Sequence, residues 1–241
     1  MTPLIMGLHA ITEMLNSHPK RLLKVFILDS QKRDKRKSRV ITQLREKRIE
    51  IEFISKDRLS RLTGSDSHQG IAAYIKKREE ATLESFFKEA KRMKKCFVLM
   101  LDEITDPHNL GAILRSSECF GVSAIILSQG NAAPITPTVS KVSCGASEFL
   151  KTISVKNLPH TLELFKKEGF KIIGSNVSKE ASDLNSFSYP EKTLFILGSE
   201  GKGVRSQLLK KCDHHLYIPM KGKIDSLNVS NAAAVFLSRI N

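Results

Sequence analysis

A chain of 241 residues has room for one large domain or two small ones and can bury a core without disulfide or metal staples. Its composition, 41% hydrophobic and 6% aromatic with no Trp, is that of an ordinary globular protein, which excludes low-complexity and fibrous chains. A formal net charge of +14 favours polyanionic partners, nucleic acid first and an anionic membrane surface second, because each Lys or Arg set against a phosphate releases a condensed counterion.

That charge is unevenly placed. Residues 1–95 hold 23 Lys and Arg against 12 Asp and Glu, whereas residues 96–241 hold 16 against 13, so the front of the chain reads as the grip. Cys96, Cys119, Cys144 and Cys212 lie too far apart for a zinc pattern or a dense disulfide framework and are expected to be buried thiols of a cytoplasmic protein. The opening stretch MTPLIMGLHAITEML lacks the pattern of a signal peptide. No run approaches the ~18 apolar residues of a membrane span, so no membrane partner is expected.

In chain order, GLHAITEMLNS carries Leu8, Ile11, Met14 and Leu15 at helical spacing, ending before Pro19. LKVFILD follows as a buried strand. The basic run QKRDKRKSR, with Lys32, Arg33, Lys35, Arg36, Lys37 and Arg39, is expected as a loop, either simply solvated or facing RNA. VITQLREKRI is then helical, while IEIEFIS and IAAYIKK are strands; together these make a small α/β domain over residues 1–77. Residues 78–95 are highly charged, with TLESFFKEAKRM spaced as a short amphipathic helix, and are expected to connect two domains.

Over residues 96–241 the apolar runs CFVLMLD, AIILS, KIIGSN, TLFILGS and HHLYIPM alternate with helical segments. This predicts an α/β domain with a mostly parallel sheet covered on both faces, whose ligand sits outside the strands' carboxyl ends. Three of those ends stand out. After CFVLMLD, Asp106 and Pro107 make a turn, Asn109 is a candidate cap, and a helix runs toward Gly121. Its Leu110, Ile113, Leu114 and Ser117 share one side. Arg115 points away from that side, with Gly111 leaving space beside it, as an anion site would need. In LFILGSEGKGV the glycines 198, 201 and 203 match neither GxxxxGK[ST] nor GxGxxG, and Glu200 would repel phosphate and suit a cationic or hydroxyl-bearing ligand. In IPMKGKIDSLNVSNAAAVFL, Ser226, Asn228 and Ser230 exceed what one helix cap explains.

Weaker signals surround these. Asp102 and Asp106 are candidate Mg²⁺ ligands but equally ordinary turn residues, adjacent His214 and His215 would point apart on a strand, and His68 reads as structural. No metal is expected.

NLGAILRSSECFG, PTVSKVSCGASEF, LFILGSEGKGV and IPMKGKIDSLNVSNAAAVFL together resemble, in order and spacing, the SpoU family of RNA ribose methyltransferases within the trefoil-knotted superfamily. GLHAITEML and HQGIAAYI resemble the small, ribosomal-protein-like RNA-binding domain found at the front of the bacterial large-subunit rRNA guanosine methyltransferases. The resemblance implies a deep trefoil knot, S-adenosylmethionine as cofactor, methyl transfer to a ribose 2′-hydroxyl, a 23S rRNA guanosine as target, and a homodimer with a shared active site. It further implies that Gly198, Ile218 and Leu227 touch the cofactor, and that Asn109, Arg115, Glu200, Ser226 and Asn228 form the catalytic and structural set. Asn231 and Ala234 depart from the family's usual apolar residue and Gly. A tRNA guanosine methyltransferase and a non-catalytic RNA-binding or ribosome-assembly protein on the same fold are the alternatives.

Overall fold

The computed structural model describes residues 2–31, 34–76, 81–178 and 180–240. In chain order its first elements are β1 (Leu4–Met6), α1 (Leu8–Ser17), β2 (Leu22–Leu28), α2 (Lys35–Glu46), β3 (Glu50–Ile54), α3 (Lys56–Thr63) and β4 (Ile71–Ile75). There follow α4 (Leu83–Ala90), β5 (Cys96–Asp102), α5 (Pro107–Cys119), β6 (Ala124–Ser128), α6 (Pro137–Val142), β7 (Thr152–Val155), α7 (Leu158–Lys167), β8 (Lys171–Ser175), β9 (Ser182–Asp183), β10 (Lys192–Gly198), α8 (Ser206–Leu209), β11 (His214–Tyr217) and α9 (Val229–Leu237). Two compact units result, Met1–Glu79 with Ile135–Glu148 and Glu80–Pro134 with Phe149–Asn241.

The first unit is built on a four-stranded sheet in the order β1-β4-β2-β3, in which only β2 and β3 run parallel. The apolar stripe of α1, Ala10, Ile11, Met14 and Leu15, is buried, and with Val40, Ile41 and Leu44 of α2 it covers one face of that sheet. The basic run expected as a loop is helical from Lys35 onward; Lys32 and Arg33 lie outside the described residues. Lys37 is 4% exposed and its ammonium donates to the Gln69 carbonyl oxygen at 2.7 Å, so it ties α2 to the turn before β4 and is no free surface cation. His68 is structural, as expected. It is buried, with Nδ1 accepting from the Gly70 amide at 2.9 Å. The helix α6 belongs to this unit, packed against β1, and the segment it opens ends in an ion pair between Arg21 and Glu148 at 2.7 Å.

The second unit holds a seven-stranded sheet, β7-β6-β5-β10-β8-β11-β9, in which every pair is parallel. Period-two alternation divides its strands between two helical layers. Val98 and Met100 of β5 and Leu194 and Ile196 of β10 face a core shared with Phe86 of α4, Leu162 and Phe165 of α7, and Leu208 of α8. On the opposite face Phe97 and Phe195 stack at 6.3 Å, Phe195 meets Phe236 of α9 at 4.7 Å, and α9 packs on α5. The amphipathic spacing of α4 is therefore used in full, with Phe86 wholly buried against Phe165 at 6.1 Å. The strand expected over HHLYIPM stops at Tyr217, ahead of Pro219, which has no amide to give a ladder. The four cysteines are free, but only Cys96 is buried; Cys119 is exposed.

Candidate active site

Four neighbouring strands, β5, β10, β8 and β11, end side by side at Asp102, Gly198, Ser175 and Tyr217, and the site is built on their carboxyl edge. At the end of β10 the chain folds back on itself, the Gly203 amide donating to the Ser199 carbonyl at 2.9 Å. A Cβ on Gly198 would stand 2.0 Å from the carbonyl carbon of Gly203 and 2.2 Å from the Val204 nitrogen, so only glycine permits this close approach of two backbones.

Arg205 locks the fold-back. Its amide donates to Asp102 Oδ2 at 3.0 Å, its Nε to Oδ1 at 2.9 Å, and its Nη2 lies 2.6 Å from Oδ1. Asp102 is fully buried at the end of β5, and its hydrogen bonds raise the Arg205 pKa further above an already basic value. The pairing removes Asp102 from the candidate metal ligands. Asp106 is committed as well: its carboxylate caps α5, accepting from the His108 and Asn109 amides at 3.2 and 3.1 Å. Asn109 is thus not the cap expected from the sequence, and its side chain is left available.

That side chain enters a cluster drawn from three elements. Asn228 Nδ2 donates to Asn109 Oδ1 at 3.0 Å and to Glu200 Oε2 at 3.3 Å, while Asn228 Oδ1 accepts from the Ser230 amide at 2.9 Å and hydroxyl at 2.6 Å. Asn228 is the N-cap of α9 and a cross-link at once, which is why one cap could not account for the polar residues around it. Asn231 sits exposed on the same helix, so its polar side chain carries no burial cost there.

Beside this cluster opens a cleft of about 470 Å³, within the usual range for a small-molecule site. Gly198, Ile218, Leu227, Ser226 and Glu200 all line it, as do Asn176, Tyr217 and Met220. Leu227 and Met220 are each 38% exposed, which leaves an apolar lip able to cover a flat ring. A carboxylate at the rim and a backbone cradle behind it suit a ligand with a positive centre and a planar polar ring. These features fit S-adenosylmethionine, which Gly198, Ile218 and Leu227 would hold.

Arg115 stands apart. It is exposed on α5, does not line the cleft, and has no polar partner among the described residues. Gly111, expected to leave open space beside it, is buried. Sequence reasoning missed Arg205 and its pairing with Asp102; the only signal was a strand-end Asp and an Arg just after a glycine cluster, and nothing in the sequence joins positions 103 residues apart.

A wholly parallel sheet with a glycine-cradled crevice at its carboxyl edge defines an α/β protein that binds a nucleotide-like cofactor. Residues 96–238 match the SpoU rRNA Methylase family, and residues 4–81 match the family described as RNA 2′-O ribose methyltransferase substrate binding. The chain is 37% identical over 97% of its length to the 23S rRNA (guanosine-2′-O-)-methyltransferase RlmB of Neisseria meningitidis serogroup B, covering 92% of that protein. It is 35% identical to the protein of the same name from Coxiella burnetii, with 98% of this chain and 94% of that one covered. Among solved structures, the SpoU methyltransferase AviRb from Streptomyces viridochromogenes, in complex with AdoMet, superposes with a TM-score of 0.79 at 22% identity, over 98% of this chain and 88% of that one, and so shares the fold. The chain belongs to the SpoU rRNA methylase family and is an RNA ribose methyltransferase.

Proposed function

We propose that this protein transfers a methyl group from S-adenosylmethionine to the ribose 2′-hydroxyl of a guanosine in 23S rRNA, as a cytoplasmic homodimer. The observation that carries the reading is the cleft at the carboxyl edge, with Gly198 cradling its back and the Asn109–Asn228–Glu200 cluster at its side. The activity of the relatives, 23S rRNA (guanosine-2′-O-)-methyltransferases by name, supplies the substrate. Among the described residues no helix is long and apolar enough to cross a membrane, consistent with the assignment to the cytoplasm.

The cofactor supplies an already electrophilic methyl, so the protein's work is alignment and charge. Asn228 fixes the start of α9 and holds Asn109 and Glu200 in register, while Ser226 lines the wall of the same cleft. A guanidinium holds its proton too tightly to serve as a base. Arg115 is assigned instead to hold the phosphate beside the target ribose and to stabilise the developing alkoxide. Its exposure, and its absence from the cleft of its own chain, support its serving the cleft of a second copy. The knot belongs to the same proposal; it is supported by the strand order, in which β10 lies between β5 and β8, and β11 between β8 and β9, each later in the chain than both its neighbours. Residues 1–77, 78–95 and 96–241 are taken as substrate-binding domain, connection and methyltransferase domain.

The test is incubation with methyl-labelled cofactor and either 23S rRNA or tRNA, followed by nucleoside digestion. Label in 2′-O-methylguanosine is expected. Label on a base, or only in tRNA, would overturn the assignment. Arg115→Ala should lose most methyl transfer while cofactor affinity by calorimetry stays within about threefold; abolished cofactor binding would make Arg115 structural.

A further inference from the structure

The charged front of the chain sorts itself once its ion pairs are known. In the first unit Arg21 is held by Glu148, Lys24 by Glu50 and Glu52 at 2.5 and 3.0 Å, Arg58 by Glu52 at 2.6 Å, and Lys37 is buried on a carbonyl. Lys20, Lys47 and Arg48 have no polar side-chain partner among the described residues, all three are exposed, and all three line one groove of about 460 Å³. Its floor is apolar, made by Leu22, Leu23 and Ile49, and the one carboxylate lining it, Glu50, is paired with Lys24.

Two backbone irregularities build this groove. The pairing of β2 with β4 shifts register between Leu22 and Lys24, and Leu23 is turned out to 49% exposure at that point. At the end of α2 the Ile49 amide bonds to the Leu44 carbonyl at 2.9 Å and the Arg48 amide to the Arg45 carbonyl at 3.0 Å, a Schellman closure. The left-handed position of that closure, normally given to glycine, is held by Arg48 at φ 55°. A left-handed arginine and an outturned leucine thus meet at one concavity.

We propose that this groove binds a single-stranded nucleotide step of the RNA substrate, with Lys20, Lys47 and Arg48 on consecutive phosphates and a base lying on Leu23 and Ile49. The proposal rests on the RNA reading above. It places the phosphate grip at the amino ends of β2 and β3, away from the basic run at 32–39 that the sequence singles out.

The experiment measures the affinity of the full-length protein for a 23S rRNA fragment as a function of KCl. The variant Lys20→Gln/Lys47→Gln/Arg48→Gly should lower the slope of log K against log salt by about 2 and weaken binding on the order of a hundredfold at 0.1 M, from roughly 0.7 per single-strand phosphate. A matched variant, Arg39→Gln/Arg45→Gln/Arg61→Gln, removes the same charge elsewhere on the unit and should change the slope by much less. Leu23→Ser should weaken binding several-fold with the slope unchanged. Arg48→Gly alone should raise the melting temperature, by relieving the left-handed residue, while weakening RNA binding. An unchanged slope in the first variant, an equal fall in the matched one, a Leu23→Ser variant that binds as wild type does, or Arg48→Gly gaining stability at no cost in RNA affinity would each overturn the assignment, as would displacement of the RNA by polyglutamate at equal affinity. Cofactor affinity should be unchanged in every variant. Failure of the wild-type protein to methylate RNA would sink the functional reading instead, and does so independently of the groove variants.

Discussion

Glycine 198 and asparagine 228 show how much can depend on one side chain or on its absence. Gly198→Ala would drive a methyl group into backbone that already lies 2.0 Å from the Cβ position, so the fold-back must open, and calorimetry should find cofactor binding lost. Retained affinity would mean that the cradle is not part of the pocket. Asn228→Ala should cost about 1 kcal/mol through the lost cap, together with most activity. Asn228→Ser separates the two roles: serine caps nearly as well but is too short to bridge Asn109 and Glu200, so denaturation midpoints should recover while methyl transfer does not. The spacing of polar residues in SLNVS marked this position in advance. That its amide spans two other elements was not legible, because the partners lie 119 and 28 residues away.

At the scale of elements, the stretch from β10 to α8 is held by a charge pair between the end of β5 and the start of α8. Arg205→Ala would strand a fully buried carboxylate at the end of β5, at a cost of about 3–5 kcal/mol, read as a lowered urea midpoint. Arg205→Lys should recover only part, since a single ammonium replaces a fork that reaches both carboxylate oxygens. In the first unit, the turn before β4 is set by His68, whose burial lowers its pKa from the ordinary value near 6.5. Because the unfolded chain then binds the proton more readily than the folded one, stability should fall as pH drops through about 6.5 and level off below the depressed folded value. His68→Gln should flatten that part of a melting-temperature profile; an unaltered slope would assign it to another group. Apolar periodicity announced α1, α4, β5 and β10. It said nothing of β9, two residues long, or of α2 beginning four residues into a basic run, because local charge repulsion is outweighed there by burial of Val40, Ile41 and Leu44.

For the whole molecule, the +14 charge and its concentration before residue 96 were open to inspection from the start, and so was the alternation that produces a parallel sheet with ligand-bearing strand ends. Those are properties of composition and short-range order, which the sequence by itself determines. Which cations remain unpaired, which aspartate is sealed against Arg205, and which of five polar candidates meet at the cleft were decided only by tertiary structure. The physical reason is that pairing and burial depend on approach in space: Lys37 and Lys47 are alike on paper, yet one is buried against a carbonyl and the other faces solvent beside an apolar floor.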